Sequence, residues 1–289
     1  MNNFLSKIKN IEEDNRVAFT SKHPLFLPLV LESRRLIRSV IYKFHPKFRL
    51  KNLEQAKWYQ ITEHSSPLFR KYNKRELDLG KIENIKIAIK NLDGIIIPPQ
   101  KVFSFWKHVG RPSSKRGFRN GLVVSNGKLK DDVGGGLCQL SNLIAYMFAC
   151  SECEFVERKH HCKDVFPDSN RVVPFASGAT VFYNLIDLKI KNPYLFPIKL
   201  NLRTTETQLR GSISVSSKID YYVKLEEKES YFIKSKSTGK LYRCNELDRV
   251  FYDKTAKTKI KDEPLWLNVA EVVYEESLVK QEIHEKIIK

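Results

Sequence analysis

The spacing of apolar side chains predicts a mixture of helices and short strands. Ile82, Ile85, Ile89 and Leu92 recur at helical intervals, and Gly94 suits the residue just past such a helix. Leu29, Ile37 and Ile41, with Val30, Ser33 and Val40 beside them, outline a second helix. A third is read over 137–150. There Leu140, Leu143, Ile144, Met147 and Phe148 cover more than half the circumference, the pattern of a helix surrounded by protein. Residues 95–97 read as a short strand stopped by Pro98-Pro99, with an extended segment restarting over 102–105. Further strands are expected at 122–124, ahead of the turn residues Ser125-Asn126-Gly127, and at 179–183, 188–190 and 197–202. Beyond 203, short apolar runs at 213–215, 221–225, 231–233 and 269–273 alternate with polar turns. A buried helix after a glycine-rich loop, set among hairpin-like strands, predicts an α+β fold with a largely antiparallel sheet. Three regions follow: a basic, partly helical stretch over 1–80, a core over 81–202, and a β-rich extension over 203–289.

Composition narrows the class. At 289 residues with 42% hydrophobic positions, the chain can bury a full core and is not a disordered polymer. Five cysteines are too few, and odd in number, for a disulfide scaffold. Residues 1–14 are polar and charged, without the apolar stretch of an export signal, and no segment reads as a membrane span. A cytoplasmic protein with reduced thiols is expected. Lys and Arg outnumber Asp and Glu by 51 to 33, a net charge of +18 that favours anionic partners. The excess is greatest at the start: residues 1–60 hold twelve Lys/Arg against five Asp/Glu. No nucleic-acid-reading motif accompanies the charge, so no specific nucleic-acid partner is expected. The helix around Leu29–Ile41 carries Arg34, Arg35 and Arg38 away from most of its apolar face. It is expected to pack by that face and leave the basic one in water; weak contact with an anionic membrane surface is the alternative.

Candidate chemistry concentrates in Val133-Gly134-Gly135-Gly136-Leu137-Cys138-Gln139-Leu140-Ser141. A glycine run meets a helix start, and a cysteine stands in the first turn. The N–H groups of that turn lack intrahelical partners and, with the helix dipole, favour a thiolate. Gly134, Gly135 and Gly136 allow close approach of a substrate backbone, and the free N–H groups of the loop and turn suit an oxyanion. Tight packing alone is the competing explanation of the glycines. No Gly-Lys-Ser/Thr follows them, so a phosphate loop is not expected. A thiolate nucleophile needs a base, and His160-His161 stand together downstream. In an extended segment only one of two neighbours can face Cys138. Asp164 and Asp168 are the candidates for orienting it. Cys150 and Cys153 lack a second regularly spaced ligand pair, so neither zinc nor another cofactor is expected.

Together these residues resemble the VanW family. The glycine-cysteine motif resembles its signature, as do Phe103-Ser104-Phe105 with Val109-Gly110, and Arg116-Gly117-Phe118. Glu157-Arg158 with His161, Asp164 to Arg171, Ser177 to Thr180, and Phe182-Tyr183-Asn184 with Asp187-Leu188 complete the match, over about 82–202. In the family pattern two histidines, one residue apart, follow Glu-Arg, and a hydroxyl comes next. Here Lys159 replaces the first histidine, His161 keeps the second, and Cys162 takes the hydroxyl position. Gly178 stands where many transpeptidase-type members carry aspartate. The resemblance implies a link to peptidoglycan metabolism or glycopeptide resistance, and an L,D-acyl transfer on stem peptides or their precursors. Cys138 would be the nucleophile, His161 its base and Asp168 the orienting carboxylate, with Asp164 the alternative. Arg158 or Arg171 would bind the terminal carboxylate through a bidentate pair. A non-catalytic protein binding anionic wall precursors is the competing function.

Overall fold

The computed structural model describes residues 1–13, 25, 27–44, 56–69, 75–125, 128–165, 167 and 172–288. The fold is α+β. Its central antiparallel sheet has the order β1-β10-β9-β2, built from β1 (Tyr59–Pro67), β2 (Ile95–Ile97), β9 (Ile198–Thr204) and β10 (Gln208–Val215). The helices α3 (Arg75–Leu92) and α5 (Leu137–Ala149) pack on it. Ile82, Ile85 and Leu92 of α3 are buried, as their spacing predicts, and Gly94 follows the helix at φ 72°. On α5, Leu140, Leu143, Ile144, Met147 and Phe148 are all buried. Gly211 of β10 lies directly beneath: a Cβ there would come within 2.7 Å of both the Leu143 and Met147 side chains. Its missing side chain lets the helix settle on the sheet.

A second sheet has the order β14-β11-β12-β13-β7. Its centre is an antiparallel meander of three long strands, β11 (Tyr221–Ser235), β12 (Leu241–Asp253) and β13 (Lys259–Val272). Parallel edges come from β7 (Lys163–Asp164) and β14 (Ile283–Lys286). Helix α1 (Asn2–Glu13) covers part of it, burying Phe4 and Ile8 against Ile233, Tyr242, Cys244 and Val269. The C-terminal end of α5 joins the sheets, with Ala149 and Cys150 against Leu225 and Leu247. A three-stranded antiparallel sheet, β3 (Val102–Ser104), β8 (Lys189–Lys191) and β6 (Glu154–Glu157), and the hairpin β4 (Asn120–Ser125) with β5 (Lys128–Val133) complete the sheets among the described residues.

Three expectations change. The extended reading of 102–105 ends at Ser104, whose hydroxyl accepts from Lys107 N–H and starts the short helix α4 (Phe105–Val109). Residues 179–183 make only two isolated bridges, Thr180 with Lys159 and Phe182 with Ile186. The helix around Leu29, α2 (Leu27–Phe44), faces opposite to expectation. Arg38 donates to Glu157 at 2.9 Å and the Arg35 carbonyl accepts from Asn184, while Leu29, Leu36, Ile37, Val40 and Ile41 are exposed. The reason is the surface on which it lies. Glu157 is half-buried and needs cations, and Lys189 supplies the other at 3.2 Å. Among the described residues no helix is long and apolar enough to cross a membrane.

Candidate functional site

The glycine loop is shaped by its neighbours. A Cβ on Gly135 would lie 2.0 Å from the Gly121 carbonyl oxygen, so two backbones meet where no side chain fits. Gly136 has φ 91°, and a Cβ there would strike Lys81 of α3. Buried Asn84 of α3 clamps the assembly: its amide donates to the Arg119 and Gly135 carbonyls and its oxygen accepts from Arg119 N–H. The glycine N–H groups are all engaged, Gly134 to Arg119, Gly135 to Asp132 and Gly136 to Leu122. This corrects the expectation that these three glycines present oxyanion donors; the close approach they permit turns their N–H groups onto the β-hairpin. Among the described residues, the N–H groups of Leu137 and Cys138 have no acceptor, as expected of a helix's first turn without a side-chain cap.

Cys138 is half-buried, its Sγ 3.5 Å from Thr180 Oγ1 and 3.6 Å from the Val181 carbonyl oxygen. Burial pushes the thiol up, but the hydrogen bond and charge of His161, with smaller help from Val181 and Thr180, outweigh it. The thiol therefore lies below its ordinary range. The other buried cysteines go the opposite way: burial pushes Cys153 and Cys244 up to about 12 and also raises Cys150. Cys150 and Cys153 belong to apolar clusters. Of the adjacent histidines, His160 turns its Nδ1 to the His161 carbonyl oxygen at 2.8 Å. Burial, then the charge of Arg158, lowers it to about 4, so it stays neutral near pH 7.

The remaining expected residues fall into two groups. Asp168 and Arg171 lie outside the described residues. Asp164 is buried on β7, paired with Arg243 at 3.4 Å and accepting from the Tyr274 hydroxyl at 3.2 Å, contacts that tie it to the second sheet. Arg158 is engaged by protein. It donates to the carbonyls of Gly178 and Ala176 and to Asn268, and its guanidinium lies 3.5 Å from the ring centre of Trp266. Burial lowers it to about 9. These contacts hold the 176–178 turn beside the site. Gly178 itself is pressed on α5: a Cβ would come 2.3 Å from Asn142 Oδ1.

Cys138 opens into a cavity of about 680 Å³, which His160, His161, Thr180, Gln139 and Asn142 also line. Arg35, Arg111 and Lys163 contribute positive charge to its walls. Aromatic rings supply apolar surface, Trp106 edge-on to Tyr183 and His64 packed on Tyr146 at 4.5 Å. Gln139 donates its amide to Pro67 O and Ser66 Oγ on β1, leaving a buried Oε1 without a partner among the described residues. Thr180, Gln139, His64 and Asn84 escape the reading of the sequence as site residues. Thr180 and Gln139 at least stand inside quoted motifs; nothing local marks Asn84 or His64, which arrive from distant elements.

Comparison with known proteins gives three findings. A family model described as VanW like protein matches residues 80–214. Over 181 residues the chain is 30% identical to Vancomycin B-type resistance protein VanW of Enterococcus faecalis (strain ATCC 700802 / V583), covering 62% of this chain and 66% of that protein. Over 124 residues it is 28% identical to the uncharacterized protein YoaR of Bacillus subtilis (strain 168), covering 43% of this chain and 39% of the relative. The chain thus spans just under two thirds of the first relative and about two fifths of the second. No solved structure matches at a significant level.

Proposed function

Because this chain belongs to the VanW family, we propose that it is a cysteine-dependent acyl-transfer enzyme acting on peptidoglycan stem peptides or their precursors. One juxtaposition carries the reading: Cys138 stands at the start of a buried helix and lines one cavity with His161, whose hydrogen bond and charge lower the thiol, and among the described residues the N–H groups of Leu137 and Cys138 have no acceptor. His161 takes the thiol proton, and Cys138 Sγ attacks the carbonyl carbon between an L-centre and a terminal D-residue. The new C–S bond leaves a negative oxygen, which the Leu137 and Cys138 N–H groups hold. Collapse breaks the C–N bond, and the proton on His161 passes to the departing amine of the D-residue. The thioester then goes to an acceptor amine, as in a transpeptidase, or to water, as in a carboxypeptidase. Lys163 attracts the terminal carboxylate, helped by Arg35 and Arg111, which share Glu32 at 2.6 and 3.7 Å, while Arg158 is engaged by the 176–178 turn. Thr180 positions the sulfur.

Intact-mass spectrometry tests this. Incubation with a stem tetrapeptide, whose last bond joins an L-centre to a single terminal D-residue, should add the peptide less that terminal residue to wild-type protein and nothing to Cys138→Ala. Wild-type protein that never acquires the adduct, and releases no D-amino acid, overturns it. The cationic cavity wall supports a second reading, a binding module for anionic wall precursors. In that case precursor affinity would persist in Cys138→Ala while no adduct forms on the wild type.

A further inference from the structure

Helix α2 is docked by its polar side. Arg38 reaches Glu157 at 2.9 Å, Asn184 donates to the Arg35 carbonyl at 3.0 Å, and Arg35 also pairs with Glu32 at 2.6 Å. At 3.6 residues per turn, Leu29, Leu36 and Val40 fall within about 40° of one another, and Ile37 and Ile41 widen the stripe on one flank. Arg35 and Arg38 lie roughly opposite its centre. The stripe is open: Leu29 and Leu36 are 68% and 67% exposed, Ile37 60%, Val40 47% and Ile41 46%. Isolated exposed apolar residues are ordinary, but five on one face of a helix held by its other face are not.

We infer that this face of α2 docks on an anionic lipid surface, lying in the plane of the headgroups. Charge selects the occupant. Exposed Arg34 borders the stripe beside Ile41, with Glu32, paired to Arg35, on the other flank; the chain as a whole carries net +18, and its first 60 residues hold twelve Lys/Arg against five Asp/Glu. An anionic bilayer attracts so basic a chain, while a second copy of it repels. An amphipathic helix with an open apolar stripe on a basic chain is the kind that binds headgroups without crossing. Arg35 belongs both to α2 and to the cavity wall, on the side of the helix away from the stripe, so docking would hold the cavity about one helix diameter from the headgroups. The inference does not depend on the chemistry assigned to Cys138.

Co-sedimentation of the full-length chain with vesicles tests it, using equimolar phosphatidylglycerol and phosphatidylcholine against phosphatidylcholine alone. Binding should require phosphatidylglycerol, weaken as salt rises, and fall by about tenfold or more in the double variant Leu36→Glu, Val40→Glu. A folded double variant that binds as wild type overturns the proposal, as does wild-type protein that ignores the anionic vesicles. If light scattering finds a wild-type dimer that the double variant dissolves, the face is a self-association surface and the proposal fails. Should the double variant not fold, Leu36→Trp decides. Its added emission, measured against wild type with Trp58, Trp106 and Trp266, should be quenched by brominated acyl chains; unquenched emission overturns the assignment.

Discussion

Helices α5 and α2 have similar sequence credentials and opposite fates. Both show apolar residues at helical spacing, over 13 and 18 residues respectively. Helix α5 is enclosed by protein, settled on β10 above Gly211, and its first turn presents Cys138 to the cavity. Helix α2 is held by Arg38 and the Arg35 carbonyl, with its apolar stripe in solvent. An amphipathic pattern therefore states that two faces differ, not which one meets the protein. Near α2 the deciding group is Glu157. It accepts from Asp187 N–H and pairs with Arg38 and Lys189, so this patch of surface selects the helix's basic side.

The contrast breaks most readily by truncation. Leu143→Ala or Met147→Ala should cost about 2–5 kcal/mol, because each empties a packed site above β10. Denaturant melts that show less than about 0.5 kcal/mol for both would make α5 peripheral and remove the rigid support of Cys138. A smaller effect is expected at the thiol. His161→Ala withdraws the charge and hydrogen bond but leaves burial, so the Cys138 thiol should move above its ordinary value. Alkylation near pH 7 should then slow by about tenfold or more, equivalent to about 1.4 kcal/mol, and its pH midpoint should rise. In wild type that midpoint should fall below an ordinary thiol's, with Cys153 and Cys244 nearly inert; a Cys138 that reacts no faster than these would sink the activated-thiolate reading.

The effects at α2 are smaller. Arg38→Ala removes one side of a partly exposed ion pair and should cost about 1 kcal/mol or less. Loss of the Asn184 contact at the same time, seen by hydrogen exchange of α2, would show that Arg38 anchors the helix; unchanged exchange would assign that duty to Asn184. Smallest of all, Leu36→Ala or Val40→Ala should stay within about 0.5 kcal/mol, since neither empties a packed site. A loss as large as that of Leu143→Ala would mean that the stripe is already covered in solution.

What the sequence determined by itself is local. The glycine run followed by an uncharged segment with apolar residues around most of its circumference marks the start and burial of α5, and the spacing of Ile82 to Leu92 marks the buried face of α3. The family motifs single out Cys138 and His161 together. Strand β12 shows the opposite case. No strand is expected from the sequence over 241–253, yet this segment is the central strand of the second sheet, and its Arg243, Asn245, Asp248 and Arg249 are buried. Arg243 pairs with Asp164, Asn245 donates to the Phe175 carbonyl and Glu227, and Arg249 donates to the carbonyls of Ala149 and Cys153. The same holds at the site, where Thr180 reaches Cys138 from the segment bridged to Lys159, and Asn84 holds the glycine loop from α3. Periodicity and turn chemistry act over a few residues and so can be read in order along the chain. Which polar group is satisfied, and which apolar face is left open, depends on partners a hundred residues away, and only folding brings those together.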